Sequence, residues 1–442
     1  MNLVASDIKK TYFKYFAAAF GSTLIGSIYA VVDMAMVGQY QGPSGTAALA
    51  VVAPIWNIIY SLGFLTGIGG SILFAQAKGQ NNTDEMNQNF SATLLYTTII
   101  ALVCWLTIIF FDTPLLKFFG AKEQLLPLTK LYLAPIKWVI PTFMFSQMLS
   151  AFLRNDNAPG LATASVLGGG IFNIFGDYFF VFYLDMGIKG AGIATAMGGV
   201  ITVVVLLSHF FSQNNTLKLS KIVHFFNRTV KISKLGFGTF IVDIAMGVLT
   251  ILFNRQIVKY LGSDALAVYG VIINISTTVQ CCGYSVGQAG QPIISTAFGS
   301  GKWERVQLTL RYMIITSFIF GLVWMLSIWV FPNAFISVFM KATPQLLAIS
   351  PSILRIYGAS FLLIPFNVFS TYYFQSIMKP GLSLVIASSR GIIISGALIL
   401  LLPLHFAPSS IWFAMPLTEL LVAGFVVNCL LKVNKSNHLK QA

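Results

Sequence analysis

Charged side chains are scarce in this sequence of 442 residues: only 9% are Asp, Glu, Lys or Arg, whereas 56% are hydrophobic. A soluble protein of this length needs far more charge to cover its surface. The apolar residues fall in runs of roughly 20 or more, the length that spans a bilayer as a helix. The alternation of an outer-membrane barrel is absent. Because lipid requires every backbone amide to be bonded internally, the composition predicts an all-α integral membrane protein.

Cysteine and histidine are also rare, with four of each. The cysteines lie inside apolar runs without metal spacing or the pattern of a disulfide framework: Cys104, Cys281, Cys282 and Cys429. The histidines lie at span ends or in loops, without a His–Glu zinc pair or a Ser–His pairing: His209, His224, His405 and His438. An intramembrane enzyme is therefore disfavoured, and we expect no cofactor.

The net charge of +14 does not indicate a nucleic-acid partner, because the basic residues form no stripe with interleaved aromatics. They cluster in loops between apolar runs, where lysine and arginine set the orientation of the chain. With an even number of spans, seventeen basic residues lie on the side of the termini and six on the other. This bias predicts a multi-pass plasma-membrane protein with both termini in the cytoplasm, and we expect a monomer. The first apolar run is too long for a cleavable signal peptide.

Hydropathy predicts about twelve spans. They cover residues 15–37, 48–77, 89–111, 128–153, 161–184, 187–211, 233–260, 265–298, 308–331, 350–377, 382–404 and 410–432. A polar, basic stretch near the middle divides the chain. We therefore predict an N-lobe at 1–211, a basic cytoplasmic linker at 212–232 and a C-lobe at 233–442.

The second half repeats features of the first at an offset of about 220 residues. Glycine, proline and acidic residues with backbone or boundary roles coincide: Gly70, Gly79 and Asp84 with Gly290, Gly299 and Glu304, and Pro159–Gly160 with Pro380–Gly381. Six spans followed by six in the same order predict two pseudo-symmetric six-helix lobes related by an axis along the membrane normal. That architecture is typical of a secondary transporter.

Eight charged residues lie well inside the spans: Asp33, Lys137, Asp177, Asp243, Arg255, Arg355, Arg390 and Glu419. A charge near the bilayer centre costs about 2.5–3.5 kcal/mol even on the lenient insertion scale, so each needs a partner or a watery cavity. Lys137, Arg255 and Arg355 are close enough to span ends to snorkel. The others are candidates for functional roles.

Asp33, Asn173, Asp177 and Thr195 form a candidate cation-coupling site in the first half. Asn173 precedes Asp177 by one helical turn, so both side chains project from one face, and Thr195 adds a hydroxyl at the start of the sixth span. Such oxygens can ligate a hard cation such as Na⁺, and a buried carboxylate can equally hold a proton. The repeat offset places Asn254, or the adjacent Phe253, at the position of Asp33, so the second half lacks the matching acid.

The second half carries polar and aromatic residues that are candidates for lining a substrate cavity: Gln280, Tyr284, Gln288, Gln291, Asn367, Tyr372 and Tyr373. Glu419, Asp243 and Arg390 are the further intramembrane charges here. Aromatic residues in a helical bundle also serve as core packing, so this set is only a list of candidates.

At these residues the sequence resembles the prokaryotic type of the multidrug and toxic compound extrusion (MATE) family. The motifs that carry the resemblance are Val32–Gly38 (VDMAMVG), Ala75–Gly79 (AQAKG), Arg154–Pro159 (RNDNAP), Asn173–Asp177 (NIFGD), Gly187–Thr195 (GIKGAGIAT) and Gly287–Ser295 (GQAGQPIIS). The likeness covers nearly the whole chain. Gly176 departs from the pattern, because an aliphatic residue is more usual there.

The resemblance implies export of small amphipathic, often cationic, compounds in exchange for inward Na⁺ or H⁺ by alternating access. It also implies that Asp33, Asn173, Asp177 and Thr195 form the coupling site. The alternative is a lipid-linked oligosaccharide flippase of the same superfamily. A flippase needs a strongly cationic cavity, for which only Lys137, Arg255, Arg355 and Arg390 are available.

Overall fold

A computed structural model describes Leu3, residues 6–339 and residues 343–441, with side chains left undescribed at Ala30 and after Lys435. The described residues are almost entirely helical and contain no β-strand. The α-helices are α1 (Ile8–Gln41), α2 (Pro43–Gly79), α3 (Thr83–Phe118), α4 (Leu126–Ile136), α5 (Ile140–Asn155), α6 (Pro159–Asp177), α7 (Gly187–Leu207), α8 (Phe225–Tyr260), α9 (Gly262–Gly299), α10 (Trp303–Val330), α11 (Pro332–Phe339), α12 (Pro344–Gly358), α13 (Ile364–Ser376), α14 (Pro380–Ser388), α15 (Ile394–His405) and α16 (Ala414–Gln441).

Some of these helices continue into one another and form longer membrane-spanning helical segments. A π-helical segment, Tyr178–Tyr183, extends α6, and another, Ser389–Ile393, joins α14 to α15. Eleven helical segments in the described part of the chain are long and apolar enough to cross a membrane. The bent pair α4 and α5, counted as one span, is the twelfth. The prediction of an all-helical membrane protein with twelve spans is therefore confirmed.

The predicted span at 128–153 is bent by 57° between α4 and α5. Pro135 lies in the last turn of α4, and Pro141 lies in the first turn of α5. Proline lacks the amide proton that continues a helix, and its ring displaces the preceding turn. The two prolines explain why the helix breaks between Ile136 and Ile140.

The chain divides into two compact units. The first contains Ala17–Phe240, and the second contains Asp7–Phe16 together with the chain from Ile241 onward. These borders differ from the predicted division at 211 and 233, because α8 contributes its first turns to the first unit and α1 contributes its first turns to the second. The predicted lobe borders describe the repeat in the sequence, and as domain borders they stay a prediction.

Glycines allow two close helix contacts inside the first unit. A Cβ added to Gly198 on α7 would lie 2.8 Å from the carbonyl oxygen of Gly169 on α6. A Cβ on Gly236 of α8 would lie 1.9 Å from the carbonyl oxygen of Leu65, and one on Gly69 of α2 would lie 2.1 Å from that of Ile232. Small residues are the usual means of bringing membrane helices this close.

The segment before α8 and the first turn of α8 are bonded to α3. The amide of Ser220 donates to Ser91 Oγ at 2.9 Å. Arg228 donates to Glu85 Oε1 at 2.9 Å and to Gln88 Oε1 at 2.7 Å. These bonds hold the predicted linker against the first turns of α3.

Candidate ion-binding site

A directed chain of hydrogen bonds connects four helices of the first unit. Asn173 Nδ2 donates to Thr195 Oγ1 at 3.3 Å, and Tyr132 Oη donates to Asp33 Oδ2 at 3.1 Å. Thr195 Oγ1 and Tyr132 Oη are 3.5 Å apart. The phenol's single proton is given to Asp33, so the threonine hydroxyl is the donor in that contact. The chain therefore runs from Asn173 through Thr195 and Tyr132 to Asp33.

Four buried oxygens around this chain accept no hydrogen bond from a described residue. They are Asp33 Oδ1, Asn173 Oδ1, Asp177 Oδ1 and Asp177 Oδ2. Asp177 is completely buried, and Asp33 is 7% exposed. A buried ionised carboxylate without partners is very unfavourable, so the arrangement needs a bound cation or a proton. Carboxylate, carboxamide and hydroxyl oxygens are the ligands that hard cations prefer.

The chain of hydrogen bonds joins Asp33 to Asn173, and Asp177 lies one turn after Asn173 on α6, so the two acids belong to one site. Mutual repulsion between two carboxylates favours uptake of one positive charge. The structure thus brings together Asp33, Asn173, Asp177 and Thr195, the residues predicted from the sequence, although their role as a coupling site stays a prediction.

The end of α6 positions Asn173 and Asp177. The helix turns into its π-helical extension directly after Asp177. Local widening of this kind often occurs at functional sites. A Cβ on Gly176 would lie 3.0 Å from that of Ala194 on α7. The glycine that departs from the family pattern therefore lets α6 approach α7 closely beside the two polar residues.

Asp33 faces a cavity of about 300 Å³ inside the first unit. Tyr132 and Thr195 line it together with the aromatic side chains of Tyr29, Trp56 and Tyr60. The hydroxyls of Tyr29 and Tyr60 are 3.4 Å apart. This cavity exceeds the volume of a bare cation many times, so an ion at Asp33 has room to keep water ligands.

Sequence reasoning missed Tyr132, the central residue of the hydrogen-bonded chain. Asp33 and Asp177 were detectable because a charge inside an apolar run is conspicuous. A single tyrosine in an apolar helix carries no such signal, since it serves equally well as packing. Only the fold shows that α4 brings its hydroxyl to Asp33.

The second unit contains a different polar network. Arg390 Nε donates to Glu419 Oε1 at 2.7 Å, and Arg390 Nη2 donates to Gln280 Oε1 at 3.3 Å. Asn367 Nδ2 donates to Glu419 Oε2 at 2.6 Å. The side chain of Gln280 donates to Tyr284 Oη at 2.8 Å, and that hydroxyl donates to Asp243. Arg390 is thus bonded directly to Glu419, and Gln280 and Tyr284 connect it to Asp243.

Most of the predicted substrate-cavity residues are packed within the second unit. Gln280 and Arg390 line a cavity of about 30 Å³. The other candidates are not among its lining residues: Tyr284, Gln288, Gln291, Asn367, Tyr372 and Tyr373. Gln291 Nε2 contacts Ser295 Oγ at 3.4 Å, and the ring of Tyr372 packs edge-on against that of Tyr284. Gln288 and Tyr373 are buried. Their role at a substrate cavity stays a prediction.

A polar cluster lies at the turn between α5 and α6. Asp156 Oδ1 accepts a hydrogen bond from Lys78 Nζ at 3.1 Å, and Asp156 Oδ2 accepts one from the amide of Thr216 at 2.8 Å. His209 Nε2 also lies 2.8 Å from Oδ2. Burial alone would raise the pKa of Asp156. The hydrogen bond to His209, the charge of Lys78 and the bonds from Thr216 outweigh burial and hold the pKa below its ordinary value.

Comparison with known proteins adds a family match. The MatE family model matches residues 18–179 and 239–399. The chain is 22% identical over 392 residues to the multidrug export protein MepA of Staphylococcus saprophyticus subsp. saprophyticus, which covers 88% of this chain and 86% of that protein. It is 24% identical over 331 residues to the probable multidrug resistance protein YoeA of Bacillus subtilis, covering 72% and 71%.

Solved structures share the fold. One is described as the outward-facing conformation of a multidrug resistance MATE family transporter of the MOP superfamily. It superposes with a TM-score of 0.90 at 19% identity, over 100% of this chain and 98% of that one. Another, a MOP superfamily transporter from Pyrococcus furiosus described as having a binding pocket of reversed polarity, gives a TM-score of 0.88 at 18% identity over 96% and 95%.

Proposed function

Because the chain belongs to the MatE family of membrane transporters, we propose that it exports small amphipathic organic compounds, cationic ones among them, in exchange for an inward Na⁺ or H⁺. It is a transport protein and not an enzyme. The multidrug export relatives support the substrate class. The observation that carries the ion coupling is the set of four buried oxygens on Asp33, Asn173 and Asp177 that accept no hydrogen bond from any residue the structure describes.

The coupling ion acts by neutralising the two acids. With both carboxylates ionised, the site is stable only when it faces water, since burying the charges is unfavourable. Binding of one Na⁺ or H⁺ removes part of that cost and permits a conformation in which the site is closed. Inward movement of one positive charge supplies about 2.3 kcal/mol per 100 mV of membrane potential. That free energy drives export of the organic compound.

The hydrogen-bonded chain couples ion binding at Asp33 to the other three helices of the site. Asp33 lies on α1, Tyr132 on α4, Asn173 on α6 and Thr195 on α7. A cation that takes ligands from Asp33 and Asn173 competes with the bonds that this chain now makes. Ion binding therefore changes the packing of α1 against α4, α6 and α7, which alternating access requires.

The flippase alternative is less well supported. Two of the four bases available to it are paired with acids, Arg390 with Glu419 at 2.7 Å and Lys137 with Asp112 at 3.5 Å. Arg355 donates to the carbonyl oxygen of Trp329 at 3.0 Å. Paired bases are poorly suited to hold a pyrophosphate group. We place the transporter in the plasma membrane as a monomer with both termini in the cytoplasm.

Efflux of ethidium, a lipophilic cation, from proteoliposomes tests this function. A Na⁺ gradient and a pH gradient are imposed separately, and the variants Asp33→Asn and Asp177→Asn are compared at equal protein content. Each should lose gradient-driven efflux, whereas Asp264→Asn, a change at an exposed acid on α9, should not. Full efflux by both acid variants would refute the proposed coupling site.

A further inference from the structure

A second cavity in the first unit begins where the acid site ends. It has a volume of about 60 Å³ and is enclosed mainly by α5, α6 and α7. Asn173 and Thr195, which belong to the ion site, line one end. We name it the inner cavity. A water molecule needs roughly 10–15 Å³ on this measure, so the inner cavity has room for more than one.

The inner cavity extends from the ion site toward the α5–α6 turn. Its lining on α6 runs from Asn173 back to Val166, and its lining on α7 runs from Thr195 on to Thr202. Seven residues of helix measure about 10 Å. Val166 lies in the first half of α6 and Ser150 lies in the second half of α5, so both are nearer than Asn173 to the turn that joins these helices.

Hydroxyl and amide groups line this course: Ser146, Gln147 and Ser150 on α5, and Thr202 on α7. Ser146 Oγ donates its proton to the carbonyl oxygen of Phe143 at 2.7 Å, and Thr202 Oγ1 donates to that of Gly198 at 2.9 Å. Since these hydroxyl protons are used by the backbone, the lone pairs of the oxygens remain for the cavity. Such a lining suits water and cations better than anions.

The buried base Arg154 lies beyond the end of the inner cavity that is nearer the α5–α6 turn. Arg154 follows Ser150 by one turn on α5, so it projects from the same face. It is 6% exposed, and its Nη2 donates to Ser22 Oγ of α1 at 3.3 Å. A guanidinium group in this position repels a cation, and its bond to α1 ties this closure to the helix that carries Asp33.

We propose that the inner cavity is a hydrated sub-site for a monovalent cation, the passage between the acid site and the α5–α6 turn, with Arg154 closing its inner end. The proposal rests on the proposed function, because it assigns a route to the coupling ion of that function. Gly170 and Tyr29 both line the inner cavity. A Cβ added to Gly170 would lie 3.2 Å from the ring of Tyr29 and 3.3 Å from the side chain of Ile25, so a methyl group there would crowd the wall of the route.

Accessibility of a cysteine to Ag⁺ tests the proposal. Ag⁺ is a monovalent cation that binds thiolates and is close in size to Na⁺. The four native cysteines, which are all free, are first replaced by alanine or serine. Ser150→Cys is then exposed to Ag⁺ in sealed vesicles of either orientation, washed, denatured and labelled with a fluorescent maleimide. Loss of labelling measures how fast Ag⁺ reached the thiol.

The expected result is protection of Cys at position 150 by Ag⁺, slowed when Na⁺ is raised. Adding Gly170→Ala should slow protection by roughly tenfold or more, since a close-packed interior yields little to an added methyl group. Gly168→Ala is the matched control, because a Cβ there meets no atom within 4 Å. Ile171→Cys, whose side chain is exposed on the apolar outer face of α6, should stay unprotected.

Labelling at position 150 that Ag⁺ does not reduce would overturn the proposal, as would equal protection with and without Gly170→Ala. This readout does not need transport. If Asp33→Asn and Asp177→Asn abolish efflux while Cys at position 150 is unreactive, the proposed function stands and the route is wrong. If the thiol is protected while both acid variants transport normally, the cavity is hydrated but the coupling site is wrong.

Discussion

Arg390 and Glu419 form a buried ion pair, with 2.7 Å between Nε and Oε1. The first unit has no such compensation at Asp177, whose two carboxylate oxygens lack a hydrogen-bond partner among the described residues. The chain therefore contains one buried acid that is paired with a base and another that has no basic partner among the described residues. On the function proposed above, this difference is the reason why the first unit binds the coupling ion.

We expect that separating the Arg390–Glu419 pair destabilises the protein strongly. Removing one partner of a buried pair leaves an uncompensated charge, at a cost of about 3–5 kcal/mol. Arg390→Met should therefore lower the melting temperature in detergent, followed by tryptophan fluorescence. The double variant Arg390→Met with Glu419→Met removes both charges and should recover most of the loss. An unchanged melting temperature in the single variant would contradict this account of the pair.

Tyr132→Phe should strengthen ion binding while slowing transport. The variant keeps the ring but leaves Asp33 Oδ2 without its donor, which costs roughly 1–3 kcal/mol in the ion-free state. The ion concentration for half-maximal efflux should fall by about tenfold, since 1.4 kcal/mol corresponds to a factor of ten. Efflux at saturating ion should decrease because release is slower. Tyr183→Phe is the control, since that side chain is exposed and lines neither cavity of the first unit described above. Half-saturation identical to that of the unmodified protein would show that Tyr132 does not act on Asp33.

Acidification should weaken the cluster around Asp156. Its pKa is held below the ordinary value in the folded protein, so the unfolded chain binds a proton more readily. The stability that Asp156 contributes is therefore present above the ordinary aspartate range, near pH 4, and is lost as the pH falls through the folded pKa. The melting temperature should drop below about pH 4, with a smaller drop in Asp156→Asn. Asp84→Asn, a change at an exposed acid, serves as the control. Identical pH profiles for Asp156→Asn and the unmodified protein would refute this role.

A methyl group at Gly236 should disrupt the contact between α8 and α2. The added Cβ would lie 1.9 Å from the carbonyl oxygen of Leu65, where the backbone has no room to move aside. Gly236→Ala should lower the melting temperature and the yield of folded protein. Gly247→Ala, on the same helix with no atom within 4 Å, should be neutral or stabilising by up to about 1 kcal/mol, the helix preference of alanine over glycine. Equal stability of the two variants would show that the contact is not needed.

The lengths of the apolar runs, the helical period and the cost of burying a charge together predicted the membrane spans and most of the candidate ion site. The apolar runs predicted the twelve spans, and the spacing of Asn173 and Asp177 placed them on one face because a helix repeats every 3.6 residues. The pairing of Arg390 with Glu419 was not predictable, since 29 residues separate them and no local period connects them. The same reason hid Tyr132, which is 99 residues from Asp33. Gln280 and Asn367 were predicted as substrate-cavity candidates, and that role stays a prediction; their bonds to the ion pair could not be foreseen for the same reason.

The contact between Gly236 and Leu65 has a consequence for the order of biogenesis. The first unit ends at Phe240, although the sequence repeat ends about thirty residues earlier. The first turns of α8 must therefore be synthesised before they can pack against α2 beside Gly69. Two fragments cut within residues 212–224 would have to find each other to complete the first unit, whereas a cut after Phe240 would sever a continuous membrane helix. The border of the sequence repeat and the border of the first compact unit thus fall at different places in the chain.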